Sequence, residues 1–250
     1  MKIILGINSN HADSSACILI NGKLIAAIEE ERINRKKHYS GFPIMAIKEC
    51  LKISKKKDFE ITDIAFNTKP SSNLLPKSLF YLKNSLFKKN QFLKRFKKKI
   101  NLKKILYTNF NLNKKVKFHF IEHHIAHIAS AFYPSYFSET IALSIDGSGD
   151  FTTFTIANCK NQKINILKKT YFPDSLGIFY HAMTQFLGFK NYGDEYKVMG
   201  LAAYGSPKYF DKLIKNLFIK DKKKLFKLNL KYFNHHNNNF KYIADNNLVI

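Results

Sequence analysis

Cysteine is scarce in this 250-residue chain, which contains Cys17, Cys50 and Cys159 and no closely spaced pair. The spacing excludes a disulfide framework and a zinc knuckle, so we expect three reduced thiols. No run of about 18 apolar residues predicts a membrane span. The apolar run Ile3–Ile7 ends at the polar stretch Asn8–His11, too early for a secretory signal. We therefore expect a cytoplasmic protein without a transmembrane segment.

Arginine is nearly absent from this strongly basic chain. The net charge is +24, and 39 of the 42 basic residues are Lys. Such a charge ordinarily indicates nucleic acid or an anionic membrane as the partner. Proteins that read bases and phosphates favour Arg, whose guanidinium makes bidentate contacts. A Lys-rich composition is equally typical of an AT-rich genome. We therefore expect no specific nucleic-acid partner.

Acidic residues are missing from positions 64–121. Within this region, apolar residues recur at spacings of three, four and seven, as in an amphipathic helix. They are Leu79, Leu82, Leu86, Leu93, Phe96 and Ile100. The pattern predicts a Lys-rich helical insert at about 70–115. It either covers the core of its own protein or binds an acidic surface or a membrane.

Two similar strand patterns are present. Lys2–Ser9, Ser14–Ile20 and Lys23–Ile28 predict three strands, and Asn21-Gly22 is a strong hairpin signal. A helix is predicted from Pro43 to Leu51, and a strand from Ile61 to Asn67. A second set follows at Ile141–Ile145, Phe151–Ala157 and Ile164–Tyr171, with a polar turn at 146–150. Two such meanders are typical of the actin and sugar-kinase architecture, although ordinary hairpins give the same pattern.

The segment Glu122-His123-His124-Ile125-Ala126-His127 carries the strongest chemical signal. Val116–Ile121 predicts a strand that leads into a helix, on which His123 and His127 share one face. Two imidazoles at this spacing can reach one cation, and Asp146 is a candidate third ligand. Asp146 also begins a Gly-Ser-Gly turn whose backbone N–H groups can face an anion. Alternatively, the two histidines only pack or form hydrogen bonds.

Three segments resemble the O-carbamoyltransferases that tailor nodulation factors and antibiotics. The first segment runs from Gly6-Ile7-Asn8 through Glu29-Glu30-Glu31-Arg32 to Phe42-Pro43. The second runs from Glu122 to Asp150. The third begins at Ser175-Leu176-Gly177, includes Glu195-Tyr196-Lys197-Val198-Met199-Gly200 and ends at Gly205. Their order and spacing are specific, and the resemblance covers about residues 1–210.

The resemblance implies an α/β fold of the actin-like (ASKHA) class, a duplicated fold with mixed β-meander sheets and helices. It is similar to the universal tRNA threonylcarbamoyl-transfer protein. Residues 1–138 would form the first lobe, and residues 139–250 would begin the second. Family members continue through the rest of the second lobe into an adenylate-forming domain. We therefore expect an incomplete second lobe and no C-terminal adenylate-forming domain.

The activity implied by the resemblance is transfer of a carbamoyl group to an acceptor hydroxyl. In the family, ATP and carbamoyl phosphate are co-substrates that form carbamoyl adenylate, and the actin-like domain passes the carbamoyl group on. The implied partners are a small-molecule or glycan acceptor and a C-terminal carbamoyltransferase half on another chain. The alternatives are a non-catalytic basic module that binds RNA or an anionic membrane, and an inactive remnant.

The resemblance also implies roles for individual residues. His123, His127 and Asp146 would be ligands of a divalent metal, with iron the expected ion. His11 would be the general base, unless it only caps a turn. Lys36 would neutralise developing negative charge, unless it only lies on a solvated face. Five further residues would contact the cofactor. They are Gly147, Ser148, Gly149, Glu195 and Lys197.

Overall fold

The computed structural model describes residues 1–82, 101–221, 224–237 and 241–243. The chain divides into two compact units, Met1–Ala126 and His127–Ile250. Of the predicted Lys-rich insert, the described part includes helix α3 (Leu74–Leu82) and helix α4 (Leu102–Asn109). The predicted helical positions Leu86, Leu93, Phe96 and Ile100 lie outside the described residues.

A five-stranded mixed sheet organises the first unit, in the order β3-β2-β1-β4-β5. Its strands are β1 (Ile3–Asn8), β2 (Ser15–Ile20), β3 (Lys23–Glu29), β4 (Asp63–Phe66) and β5 (Lys117–Phe120). The first three form the predicted antiparallel meander, while β4 pairs in parallel with both β1 and β5. Asn21 and Gly22 have positive φ angles of 49° and 83°, as a type I′ hairpin turn requires.

Side chains on one face of this sheet form the main core. Ile3, Leu5 and Ile7 are at most 3% exposed. They belong to a buried cluster with residues of α2 (Ile44–Ser54) and α4. The alternating strand pattern therefore places its aliphatic residues under helices, as the sequence predicts. Small residues on the opposite face, including Gly6, Cys17 and Ala65, line an open cavity of about 800 Å³.

Glu30 has a structural role within the Glu29-Glu30-Glu31-Arg32 motif. It is 3% exposed and lies just before the short helix α1 (Glu31–Asn34). Its carboxylate accepts hydrogen bonds from the backbone N–H groups of Met45 and Ala46, at 3.2 and 2.7 Å. These donors belong to the first turn of α2 and lack partners within the helix. Glu30 therefore caps α2 from a distant position in the sequence.

A three-stranded antiparallel sheet organises the second unit. Its strands are β6 (Glu139–Gly149), β7 (Thr152–Lys160) and β8 (Lys163–Tyr171). The chain reverses at Asp150 and Phe151, whose φ angles are 50° and 79°, a later position than the predicted turn at 146–150. The difference arises because β6 continues to Gly149 through a register shift after Ile145. The polar segment is therefore an irregular strand end.

Four helices of the described residues follow or flank the strands of the second sheet. They are α5 (His123–Phe132), which begins in the first unit, α6 (Leu176–Phe186), α7 (Glu195–Ala202) and α8 (Phe210–Leu217). Ile128 and Phe132 of α5 pack with Ala157 and Cys159 of β7. None of the described helices is long and apolar enough to span a membrane.

The α/β class and the predicted pair of meanders are confirmed by these elements. The structure places helix α2, strand β4, strand β5 and the histidine-bearing helix within a few residues of their predicted bounds. Assignment of residues 1–138 and 139–250 to two lobes, and the incompleteness of the second, stay predictions.

Candidate functional site

Helix α5 presents the two predicted histidine ligands. Strand β5 ends at Phe120, and the helix begins at His123. Donor atoms of His123 and His127 lie within 4.8 Å of each other, as expected for residues one turn apart. His124, between them, is fully buried, whereas the His127 side chain is 54% exposed. The helical period therefore places His124 away from the face shared by His123 and His127, on which His127 is exposed and His123 is only 8% exposed.

Asp146 approaches His127 within the second unit. The distance from His127 Nε2 to Asp146 Oδ2 is 3.8 Å, too long for a hydrogen bond. Two atoms that are each about 2 Å from a shared cation are at most about 4 Å apart, so both atoms can reach one ion. The other carboxylate oxygen, Oδ1, accepts a hydrogen bond from Gly147 N at 2.6 Å, which orients the group. Two imidazoles and one carboxylate form a donor set that suits Fe(II), so these residues fit the expected metal.

The irregular strand end after Asp146 is held by the N-terminus of α6. Ser175 Oγ lies 2.9 and 2.8 Å from the carbonyl oxygens of Asp146 and Gly147, and it accepts a hydrogen bond from Ile178 N. A Cβ atom on Gly177 would lie 2.5 Å from Gly147 N, so only glycine permits this approach. Neither Ser175 nor Gly177 was predicted from the sequence to have a role. The sequence signal for Ser175 was the N-cap pattern, in which a serine at the start of a helix accepts a hydrogen bond from the backbone N–H three residues later.

The predicted phosphate contacts differ in accessibility. Gly147 N–H already donates to Asp146, and Gly149 is buried opposite Thr152 in the hairpin. Ser148 is the exposed member of the three. Contact of this strand end with an anion stays a prediction, and Ser148 is the most exposed of its three residues.

His11 lies beside His123 in the first unit. Their ring centroids are 5.6 Å apart and the rings meet edge to face, at 75°. The loop that carries His11 is anchored by the buried Ser14, whose hydroxyl lies 2.7 Å from the carbonyl oxygen of Gly41 and 3.2 Å from that of His11. The fold therefore brings the predicted general base next to a predicted metal ligand, across 112 residues of sequence.

Lys36 lies in an exposed loop after α1, where its backbone N–H donates to Asn34 Oδ1. In the same loop, His38 contacts Asp13 Oδ1 at 3.0 Å, and its N–H donates to Glu31. Asp13 is two residues from His11 in the sequence, so the Lys36 loop is joined to the His11 loop. The role of Lys36 itself stays a prediction.

Glu195 and Lys197 have intramolecular partners. Glu195 Oε1 accepts from His181 Nδ1 at 2.5 Å, and Gln185 Nε2 lies 3.3 Å from His181 Nε2. Lys197 pairs with Asp194 at 2.6 Å, which lowers the pKa of Asp194 and raises that of Lys197. His181 is not evident from the sequence, because a single histidine on a helix carries no spacing signal. Cofactor contact by Glu195 and Lys197 stays a prediction.

Residues 3–246 match the family model described as the carbamoyltransferase N-terminus. The uncharacterised protein sll1178 of Synechocystis sp. is 36% identical over 245 residues, which cover 94% of this chain and 40% of that protein. Nodulation protein NolNO of Sinorhizobium fredii is 34% identical over 78% of this chain and 28% of its own length. The chain therefore spans less than half of the length of these relatives.

Among solved structures, YeaZ from Pseudomonas aeruginosa is 10% identical, with a TM-score of 0.34. The similarity covers 70% of this chain and 68% of that one. A TM-score of this size does not by itself establish a shared fold.

Proposed function

Because this chain belongs to the carbamoyltransferase family, through the N-terminal domain that residues 3–246 match, we propose that it forms the N-terminal part of an ATP-dependent carbamoyltransferase. The co-substrates are ATP and carbamoyl phosphate, and the carbamoyl donor is carbamoyl adenylate. The acceptor is a hydroxyl group of a sugar or glycoside. The observation that best supports a catalytic role is the approach of His11 to His123, because it joins the predicted base to the predicted metal helix.

In the proposed step, the acceptor oxygen forms a bond to the carbamoyl carbon. The bond from that carbon to the phosphate oxygen breaks, and AMP leaves with the electron pair. His11 accepts the acceptor proton, because a neutral imidazole is a suitable base near neutral pH. The exposed loop position of His11 gives a hydroxyl group access to its ring.

The proposed metal ligands are His123, His127 and Asp146. A divalent ion held by these residues, most suitably iron, would supply positive charge next to the phosphate of the donor. Neighbouring groups hold the Asp146 ligand in place. Gly147 N–H donates a hydrogen bond to its carboxylate, and the Ser175 hydroxyl holds the backbone at Asp146. Lys36, on the loop joined to that of His11, would add positive charge near the developing oxyanion.

The metal site is tested by the elemental content of anaerobically purified protein. We expect near-stoichiometric iron or another divalent metal in the native chain, and a decrease of more than about tenfold in His127→Ala, since loss of a ligand weakens metal binding strongly. His236→Ala is the matched control, because it removes a histidine of the same unit away from α5, and it should keep the metal. Equal metal contents in native protein and His127→Ala would contradict the assignment.

Carbamoyl transfer is tested with radiolabelled carbamoyl phosphate, ATP and a panel of sugars and glycosides. The chain is co-expressed with the part of sll1178 that its similarity does not cover, to supply the remaining domain. We expect acid-stable label on an acceptor, and a decrease of about 100-fold or more in His11→Asn. His119→Asn, on β5, is the control and should retain activity.

The result that would contradict the function is equal labelling with His11→Asn and native protein, or no labelled acceptor at all. The basic-module alternative would be favoured instead by RNA or anionic-vesicle binding that survives His127→Ala and weakens steeply with salt.

A further inference from the structure

Two neighbouring residues of helix α6 hold Glu195 at the start of α7. The Oε1 atom of Glu195 lies 2.5 Å from His181 Nδ1, and its backbone carbonyl oxygen accepts a hydrogen bond from the Tyr180 hydroxyl at 3.2 Å. The His181 and Glu195 side chains are 15% and 28% exposed, so their contact is largely shielded from solvent. Helix α6 therefore fixes both the main chain and the side chain of Glu195.

Gln185 determines which ring nitrogen of His181 carries the proton. The backbone N–H of Tyr242 can only donate, and its acceptor at 3.0 Å is Gln185 Oε1. The other amide atom of Gln185, its nitrogen, is therefore the one that lies 3.3 Å from His181 Nε2. Because the amide nitrogen can only donate, His181 Nε2 accepts, and the proton of the neutral ring lies on Nδ1. A second proton on the ring would place two donors against each other.

The His181 ring in this form donates to Glu195 and leaves the carboxylate charged. The ring also packs against Tyr242, with centroids 4.8 Å apart. Its orientation is thus fixed by Glu195, Gln185 and Tyr242. Glu195 Oε2 has no hydrogen-bond partner among the residues that the structure describes. An oriented carboxylate oxygen of this kind can accept a hydrogen bond from a ligand.

Lys197, two residues later in the same motif, is not available in this way. Its Nζ atom lies 2.6 Å from Asp194 Oδ1, and 5.8 and 5.9 Å from the ring centroids of Phe189 and Tyr196. The ammonium charge is therefore compensated by Asp194, whereas the Glu195 carboxylate faces a neutral imidazole. Of these two predicted cofactor contacts, Glu195 is the one with an uncompensated charge.

The position of His181 on α6 relates Glu195 to the strand end after Asp146. Gly177 lies one helical turn before His181, on the same face of α6. The backbone of Gly177 approaches Gly147, which is a predicted phosphate contact. Four residues of helix advance by about 6 Å, a step similar to the separation between a phosphate and the sugar hydroxyls of one nucleotide. Because a carboxylate repels phosphate and accepts hydrogen bonds from hydroxyl groups, Glu195 suits the sugar.

We propose that His181 is a positioning residue for Glu195. As a neutral imidazole protonated at Nδ1, it holds the Glu195 carboxylate so that Oε2 accepts a hydrogen bond from a ribose hydroxyl of the nucleotide. This role rests on the proposed function, which supplies the nucleotide, and extends it. His181 joins the site, Gln185 fixes its tautomer, and the part of the nucleotide that Glu195 recognises is the sugar.

The tautomer is tested on the full chain alone, by nitrogen-15 NMR of histidine-labelled protein at neutral pH. We expect His181 to be protonated at Nδ1 and unprotonated at Nε2, and His181→Phe assigns the signals. Gln185→Glu should protonate both ring nitrogens, because it keeps an acceptor for Tyr242 N but replaces the amide donor with a carboxylate oxygen. A proton on Nε2 in the native chain, or an unchanged ring in Gln185→Glu, would overturn the proposal.

The role in binding is tested by calorimetric titration with ATP and with 2′,3′-dideoxy-ATP, using the co-expressed assembly of the transfer assay. We expect His181→Phe to weaken ATP binding by about tenfold or more, since a carboxylate without its donor loses the orientation for a charge-assisted hydrogen bond. The same variant should leave the affinity for 2′,3′-dideoxy-ATP unchanged. His181→Asn places an amide N–H near the position of Nδ1, so it should restore ATP binding to within about threefold of native. His236→Phe, in the same unit, is the control and should bind as the native protein does.

Two binding results would also overturn the proposal. The first is an equal ATP affinity in native protein and His181→Phe, including no measurable binding by either. The second is an equal loss of affinity for ATP and 2′,3′-dideoxy-ATP, which would show that His181 only supports the local fold. Neither the titration nor the NMR measurement requires carbamoyl transfer. ATP binding that depends on His181, without any labelled acceptor, would contradict the proposed function alone, so the two failures are distinguishable.

Discussion

Replacing Asp174 with alanine is expected to destabilise the second unit by about 3 kcal/mol. The Asp174 side chain is 2% exposed, and it lies between β8 and α6. Its Oδ2 accepts from Lys224 Nζ at 2.6 Å, and its Oδ1 accepts from Leu228 N at 2.9 Å. Without the carboxylate, the Leu228 N–H is buried without this acceptor, and the segment that carries Leu228 and Phe233 loses one of its attachments.

The apolar part of that segment depends on the same anchor. Leu228 and Phe233 pack with Ala182 of α6 and Leu217 of α8 in one cluster. Urea unfolding followed by tyrosine fluorescence measures the change in the free energy of unfolding. Asp211→Ala, an exposed position on α8, is the charge-matched control and should change stability by less than about 0.5 kcal/mol. Equal stabilities of the Asp174→Ala and Asp211→Ala variants would refute the anchoring role.

Acidification is expected to destabilise the native protein through His235 by up to about 3 kcal/mol between pH 6.5 and pH 4. Burial lowers the pKa of His235 from 6.5 to about 4, although its hydrogen bond to the carbonyl oxygen of Pro173 opposes the change. Nearby His236 lowers this pKa further, whereas Asp174 raises it. His235 Nε2 lies 2.8 Å from Pro173 O, so Nε2 carries the proton and the ring is neutral near pH 7.

The direction follows from the protons that each state binds. Above pH 6.5 the imidazole is neutral in both the folded and the unfolded state, so it does not make the free energy of unfolding depend on pH. Between pH 6.5 and pH 4, the unfolded chain binds a proton that the folded protein does not, so the free energy of unfolding decreases as the pH falls. Below about pH 4, both states are protonated and this contribution becomes constant.

Urea unfolding at a series of pH values, in native protein and His235→Gln, measures this contribution. Glutamine can still donate to Pro173 O but does not titrate, so the variant should lack about 3 kcal/mol of the native pH dependence. Carboxylates with a lowered pKa, such as Asp63 and Asp194, titrate in both proteins and cancel in the comparison. Parallel stability profiles in the two proteins would show that His235 is not the titrating group.

Local patterns in the sequence predicted the features that depend on near neighbours. Asn21-Gly22 predicted the first hairpin, because only a few residues adopt the positive φ angles that its turn requires. The spacing of His123 and His127 predicted a shared helical face, because the helical period sets it. By contrast, the predicted turn at 146–150 lies slightly before the observed reversal at Asp150 and Phe151, because the Gly-Ser-Gly sequence carries a stronger turn signal than the residues that form the turn.

Features that join distant segments had no local signal. The cap of α2 comes from Glu30, which precedes the helix by more than ten residues, so the usual N-cap position does not reveal it. The C-terminal residues Leu228 and Phe233 had no periodic pattern, yet they pack against α6. Partners of Glu195 and Asp174 likewise became evident only from the folded chain.

By itself, the sequence determined the α/β class, the two meanders, the histidine-bearing helix and the family, because these depend on alternation, helical period and motif order. Tertiary structure alone decided that His11 lies against His123 and that Asp146 lies near His127, since each contact joins segments that are far apart in the chain. It also decided that the alternating aliphatic residues of β1 are buried and those of β6 are exposed. Burial depends on which elements pack on a strand, and the strand sequence alone does not specify them.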